Sequence, residues 1–306
     1  MTKPRSDYVD PILAAFYHIA SRCVRRGWLL GKDSYSKKNY NHRKEVLINR
    51  IKHLSRFFPV EIYAYAIMDN HFHLVLRYDP QEALTWSDEE VARRWCAVFH
   101  GLPIEQTLEG PTQVSDFNAK QLLRYHELLA NTTQLEKCRR TLGSLSGFMK
   151  HLKQPFSVWA NREDECRGHF FESRFYSGAL LTEEDLLTCM AYVDLNPVAA
   201  KIARSLRQGK QTSIHERLFK YRIDQRELDA YLTPLWKSVM ASAQSGEIIK
   251  CSLANYAEQL NRAIVYLSRR DHSVDHKFAG WIARLVNRER KTRAQHPALF
   301  DYAQDW

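Results

Sequence analysis

The sequence is poor in the features that mark a membrane or secreted protein. None of its apolar runs approaches the ~18 residues that a spanning helix needs. Its first residues, Met1-Thr2-Lys3-Pro4-Arg5-Ser6-Asp7, hold no apolar segment of the kind that directs secretion. A cytoplasmic protein that does not engage membranes is the expectation. The six cysteines, Cys23, Cys96, Cys138, Cys166, Cys189 and Cys251, are scattered and include no Cys-x-x-Cys pair. That spacing argues against a zinc ribbon and against a disulfide framework, and leaves reduced, mostly buried thiols. There is no internal repeat and no low-complexity tract.

What is present suits a folded chain with an anionic partner. The 306 residues are enough for one large domain or two ordinary ones. Hydrophobic residues make up 44% and aromatics 12%, so a core can form. The net charge of +10 is unevenly spread. Residues 1–78 and 201–306 each carry a surplus of eight positive charges, and 79–140 and 141–200 each a surplus of three negative ones. Basic ends draw phosphate backbones or anionic surfaces.

Periodicity predicts the elements. Phe16 to Val24 is β-branched and aromatic over the length of a strand. Asn41 to Phe58 carries Val46, Leu47, Ile51, Leu54 and Phe58 at helical spacing, and Pro59 ends it. Val60 to Met68 and His71 to Tyr78 form a hairpin across Asp69-Asn70, two residues that tolerate positive φ. Residues 79–140 form a helical, acidic insertion, with a capped start at Ser87-Asp88-Glu89-Glu90 and a second helix over 115–140. A helix over 144–154 is expected to stop at Pro155. Phe156 to Asn161 and Gly168 to Leu181 are then expected to be extended. Thr182-Glu183-Glu184-Asp185 opens a helix through Tyr192, with Asn196-Pro197 bounding it and Pro197 starting a second short one. Residues 205–306 are expected to be helical and basic, with helices over Leu228–Ala243, Leu253–Leu267 and Trp281–Arg293.

Chemistry concentrates in two stretches. In Asp69-Asn70-His71-Phe72-His73-Leu74, strand alternation sends His71 and His73 to one face and Phe72 and Leu74 to the other. Two imidazoles on one face can share a metal ion, or can be packed or surface histidines. Two donors leave such a site incomplete, and Asp69, in the turn, is a poor third. In Tyr192-Val193-Asp194-Leu195-Asn196-Pro197, Tyr192 and Asn196 lie one helical turn apart. Asn196 could supply a third oxygen donor, and the Tyr192 phenol could attack a phosphorus atom. The competing reading of Tyr192 is a core aromatic on an amphipathic helix.

Together these stretches resemble the single-tyrosine HUH transposases, specifically the REP-associated tyrosine transposases. Met68-Asp69-Asn70-His71-Phe72-His73-Leu74 is similar to the family's Met-Pro-Asn-His-Phe-His-Leu strand. Tyr192-Val193-Asp194-Leu195-Asn196-Pro197-Val198 is similar to its Tyr-x-x-x-Asn-Pro-Val helix end. Gly168-His169-Phe170-Phe171-Glu172-Ser173-Arg174-Phe175-Tyr176-Ser177 looks like its Gly-His strand, and Tyr17-His18 with Arg22 like its first strand. The likeness covers about residues 14–203 without the insertion. Asp69 stands where the family has proline, and the insertion and long tail exceed the family core.

The resemblance implies an α+β, ferredoxin-like fold with a central antiparallel sheet. It implies a catalytic domain over 11–204, containing the helical insertion 79–140, and a basic helical C-terminal region over 205–306. It implies Mg²⁺ or Mn²⁺ on His71, His73 and Asn196, with Tyr192 as nucleophile and no small-molecule cofactor. The substrate would be single-stranded or hairpin DNA, nicked and rejoined through a 5′-phosphotyrosine. His18, Arg22, Arg174, Arg284, Arg288, Arg290 and Arg293 are candidate DNA contacts, and His169 a further polar group near the metal. A cytoplasmic, nucleoid-associated prokaryotic protein follows. A homodimer, in which Tyr192 serves the other subunit's metal, is left open. The rival reading is a DNA- or RNA-binding regulator that kept the fold and lost the chemistry. A replication initiator or relaxase is weaker, since those carry longer partner regions.

Overall fold

The computed structural model describes residues 9, 12–33, 36–172, 174–220 and 253–269. Strands are β1 (Ala15–Arg22), β2 (Val60–Ile67), β3 (His71–Tyr78) and β4 (Tyr176–Leu180). Helices are α1 (Asn41–Ser55), α2 (Asp88–Val98), α3 (Ala119–Leu129), α4 (Thr132–Leu142), α5 (Leu145–Glu163), α6 (Glu183–Ala199), α7 (Ser213–Lys220) and α8 (Leu253–Arg269). The four strands form one antiparallel sheet in the order β2-β3-β1-β4. Apart from α2–α4, chain order through β4 is β-α-β-β-α-β, the ferredoxin-like connection. The fold is α+β, as the sequence led us to expect.

By compactness the chain divides into two units. One comprises Met1–Ala15, His42–Glu61 and Arg77–Phe171, the other Phe16–Asn41, Ile62–Leu76 and Glu172–Trp306.

In the first unit α1 and α5 are tied by charged side chains. Buried Arg43 of α1 donates to Glu163 at 2.8 Å and Asp164 at 2.7 Å. Further along, Arg50 Nη2 donates to the His151 carbonyl at 2.6 Å. That bond accounts for the main departure from expectation, because Pro155 does not end α5, which continues to Glu163. Proline has no N–H for the carbonyl four residues earlier. Here that carbonyl is His151's, and Arg50 supplies the missing donor. Phe156 to Asn161 is therefore helical rather than extended, with Phe156 and Ala160 buried.

The insertion is helical as expected, but 115–140 is two helices. Asn131 interrupts it and caps α4, its side chain accepting from Gln134 N at 2.9 Å. Ser87 caps α2 through Glu90 N at 3.2 Å.

In the second unit β1 pairs antiparallel with β4, His18 opposite Gly178 and Ala20 opposite Tyr176. Only Tyr176–Leu180 of the expected extended run 168–181 is a named strand. β2 is an edge strand, and the chain after α6 covers that edge. Ile67 N donates to Gln211 O at 3.0 Å, Tyr65 N to Ser213 Oγ at 3.2 Å, and Arg217 Nη2 to Tyr63 O at 2.8 Å.

Helix α6 is buried against the sheet. Leu186, Met190 and Val193 share a core with Phe16 and Ala20 of β1, Val75 of β3, and Tyr256 and Leu260 of α8. Each of the leucine, methionine, valine and phenylalanine side chains contributes roughly 1.5–3 kcal/mol by leaving water. Thr182 caps α6 through Asp185 N at 3.0 Å. Pro197 neither bounds α6 nor starts another helix, because the helix runs on to Ala199. So near the end a proline removes one ladder bond with few left to follow.

Four of the five described cysteines are buried and Cys166 is exposed. No helix among the described residues is long and apolar enough to cross a membrane. The expected helices over 228–243 and 281–293 lie outside the described residues.

Candidate active site

The site grows from the alternation of two neighbouring strands. On β3, His71 and His73 share a face with Val75, and on β1 His18 shares a face with Phe16 and Ala20. Val75, Phe16 and Ala20 belong to the core that α6 completes, so the three histidines face α6. The His71 and His73 ring centroids are 5.0 Å apart. His18 stacks on His73 at 5.1 Å, and its Nε2 lies 3.0 Å from His73 Nδ1.

Helix α6 brings Tyr192 to this group. Its ring meets His73 edge-on at 5.5 Å and His18 at 5.8 Å. Tyr192 is 7% exposed, His71 6% and His73 0%. Burial pushes the His73 pKa down to about 3, so its imidazole is neutral at physiological pH. Asn196, one turn beyond Tyr192, is also buried. Among the described residues no three of His, Cys, Asp and Glu are grouped to hold a metal. The imidazoles of His71 and His73 fit a divalent ion as two donors, and a third has to come from another residue type.

The hairpin turn has its own support. Met68 N donates to His71 O at 2.8 Å. Neither Asp69 nor Asn70 takes a positive φ, contrary to the turn geometry expected. The turn is instead held from the loop after β1, where Cys23 N donates to Asn70 O and Leu30 N to Asp69 O, both at 2.8 Å. Gly31 permits that approach, since a Cβ there would lie 2.2 Å from Asp69 Cγ. In the same loop Arg25 and Arg26 adopt left-handed φ of 53° and 57°. That conformation costs roughly 1–2 kcal/mol per non-glycine residue. Asn70 Nδ2 donates to the Arg26 carbonyl at 3.3 Å, and Asn70 Oδ1 lies 2.7 Å from His71 Nδ1.

Behind Tyr192, Asp194 ties α6 to the chain that follows. It accepts from Ser213 Oγ at 2.6 Å, Ile214 N at 2.9 Å and Tyr256 Oη at 2.9 Å. Burial raises its pKa above the usual carboxylate value, against the opposing pull of Arg217 and these donors.

The remaining candidates are dispersed. Arg22 is buried at the end of β1, on the face that carries His18, and its carbonyl accepts from Glu172 N at 2.7 Å. Arg174 and His169 are exposed. Arg284, Arg288, Arg290 and Arg293 lie outside the described residues. Tyr176, which meets His18 edge-on at 5.6 Å, was not among the expected site residues. Neither were Asn70 and Asp194, although Asn70 stands immediately before the His-x-His motif.

No family model matches the sequence, and no curated protein matches it. A solved structure described as a REP-associated tyrosine transposase bound to a REP hairpin aligns with 71% of this chain and 86% of its own, at 14% identity and a TM-score of 0.39.

Proposed function

We propose that this chain cuts and rejoins single-stranded or hairpin DNA, with Tyr192 as nucleophile. The observation that carries the reading is the meeting of Tyr192 with His73 and His18. The sequence places Tyr192 more than a hundred positions from either histidine, and the fold puts their rings in contact. In the reaction, the Tyr192 phenolic oxygen loses its proton and bonds to a DNA phosphorus. The bond from phosphorus to the 3′ oxygen breaks, and that oxygen takes up a proton to leave as a 3′-OH. The protein keeps the 5′-phosphate as a phosphotyrosine. A second 3′-OH can reverse the step, because one phosphodiester is exchanged for another of similar energy.

A free tyrosine, with a pKa near ~10, is a poor nucleophile. A divalent ion, Mg²⁺ or Mn²⁺ on His71, His73 and Asn196, would polarise the phosphate and offset its developing charge. Within the chain, the neutral His73 is suited to donate a lone pair, and its ring packs the Tyr192 ring in place. Unpaired bases suit the reading too, since they expose faces for stacking. The same proposal takes residues 11–204 as the catalytic domain, Arg174 and the basic tail as DNA contacts, and the nucleoid as location. It needs no small-molecule cofactor.

The test is incubation of the full chain with a panel of single-stranded hairpin DNAs and Mn²⁺. A covalent protein–DNA adduct that Tyr192→Phe abolishes is expected. No adduct across the panel would sink the reading.

The burial of His73 and Tyr192 favours a second reading, in which the fold binds DNA without cutting it. That reading expects salt-sensitive hairpin binding which survives Tyr192→Phe, with no adduct from either protein.

A further inference from the structure

We propose that Asn70 and His18 are positioning residues that fix which nitrogen of His71 and of His73 is offered to a metal. The inference rests on the reading of these two histidines as a divalent-metal pair. It concerns how the metal-free protein prepares them.

The argument for His71 is a chain of donors and acceptors with one solution. The Arg26 carbonyl can only accept. The Asn70 group facing it must therefore be the NH₂, which donates at 3.3 Å. The other end of the amide, Oδ1, can only accept, and it lies 2.7 Å from His71 Nδ1. Nδ1 of His71 must therefore carry a proton. An imidazole that binds a metal is neutral and has one N–H, so with Nδ1 protonated the lone pair His71 can offer sits on Nε2. The left-handed turn at Arg25 and Arg26 carries the carbonyl that starts this chain.

His73 is fixed in a related way. Its Nδ1 is 3.0 Å from His18 Nε2, so one of the two nitrogens donates and the other accepts. Donation from His73 Nδ1 leaves the lone pair on His73 Nε2, the same atom as on His71. We assign that direction because two ligands two residues apart on one strand can then present equivalent atoms to one ion. His18 is then the Nδ1–H tautomer and accepts through Nε2. Orienting partners of this kind hold ligand tautomer and ring position in known metal sites.

The experiment uses the full chain, ¹⁵N-labelled and metal-free, with histidine side-chain tautomers read by long-range ¹H–¹⁵N correlation. Nδ1–H forms at both His71 and His73 are expected, and an Nε2–H form at either overturns the proposal. Mn²⁺ affinity, measured by electron paramagnetic resonance, separates positioning from mere support. Asn70→Asp keeps an acceptor for His71 Nδ1 but cannot donate to the Arg26 carbonyl, whereas Asn70→Leu loses both. Retained affinity in Asn70→Asp with a loss of about 10–100-fold in Asn70→Leu is expected. Equal loss in both means that Asn70 only holds the loop, and overturns its role. His18→Gln, which keeps an acceptor, should likewise retain Mn²⁺ better than His18→Leu, and equal affinities of these two overturn the role of His18. DNA cleavage enters none of these measurements. A protein with the expected tautomers and no adduct sinks the transposase reading alone, and one with an adduct and the wrong tautomers sinks this proposal alone.

Discussion

Mild acid should destabilise this protein through His53, and the size of the effect follows from its surroundings. His53 is 1% exposed, packed against Phe57 at 5.0 Å and against His100 at 5.2 Å. Its pKa is lowered to about 3 by burial first, then by His100, Arg50 and Arg56, against a small opposing hydrogen bond with the Ala97 backbone. In the unfolded chain the same side chain has an ordinary value near ~6.5. Between these values the unfolded state binds a proton that the folded state refuses, so stability is intact above ~6.5 and falls as pH drops toward ~3. At pH 5 the difference is roughly 1.5 pH units of binding, or about 2 kcal/mol. A folded value one unit higher hardly alters that figure, because at pH 5 the unfolded value sets it. Two kcal/mol is a sizeable part of the ~5–15 kcal/mol that holds a typical domain. The lowered values of His100 and of His151, the latter about 4, act in the same direction. The assay is urea unfolding at pH 7 and pH 5 for the wild type and for His53→Gln. The variant can be weaker at both, but its loss between them should be smaller by about 2 kcal/mol. Equal losses in the two proteins would refute the reasoning.

Three further outcomes are expected. Arg50→Met should destabilise by about 1–3 kcal/mol, since it strips the half-buried His151 carbonyl of its donor, and should cost less in a Pro155→Ala background, where residue 155 regains an N–H; additive effects in the unfolding cycle would disconnect Arg50 from the proline. Gly31→Ala should cost roughly 1–3 kcal/mol in thermal unfolding, because its methyl collides with Asp69. Asp194→Ala should cost about 3–5 kcal/mol by chemical denaturation, as it leaves Ser213, Ile214, Tyr256 and nearby Arg217 without a shared acceptor; a loss under ~1 kcal/mol would show that water replaces the carboxylate.

Local order was legible where one residue type decides it. Alternation at His71 and His73 put them on one face, and Ser87 and Thr182 marked true helix starts, because capping is settled within four residues. The prolines misled for the converse reason. Whether Pro155 ends a helix depends on whether the orphaned His151 carbonyl finds a donor, and Arg50 lies 101 residues away. Single-helix periodicity over 115–140 likewise hid Asn131, a residue that caps one helix only by interrupting another. At the Asp69-Asn70 turn, residue type suggested positive φ, while the hydrogen bonds of Cys23 and Leu30 hold a different geometry.

The site was legible as parts and not as an assembly. His71, His73 and Tyr192 can be picked out by chemistry, but the residues that orient them have no pattern of their own. His18 stands out in the sequence only as a candidate DNA contact on the first strand, and its place beside His73 follows once β1 pairs beside β3. Asp194 sits two residues from Tyr192, where helical geometry turns it to another side, and its partners are 19, 20 and 62 positions downstream. Asn70 is the instructive case. It stands next to His71 in sequence, yet its orientation is decided by a carbonyl 44 residues earlier. A chain with both histidines but no such carbonyl would keep the motif and lose the reason for His71 to hold its proton on Nδ1. The His-x-His pattern therefore specifies which side chains are present, and the loop after β1 specifies which atom of His71 is available.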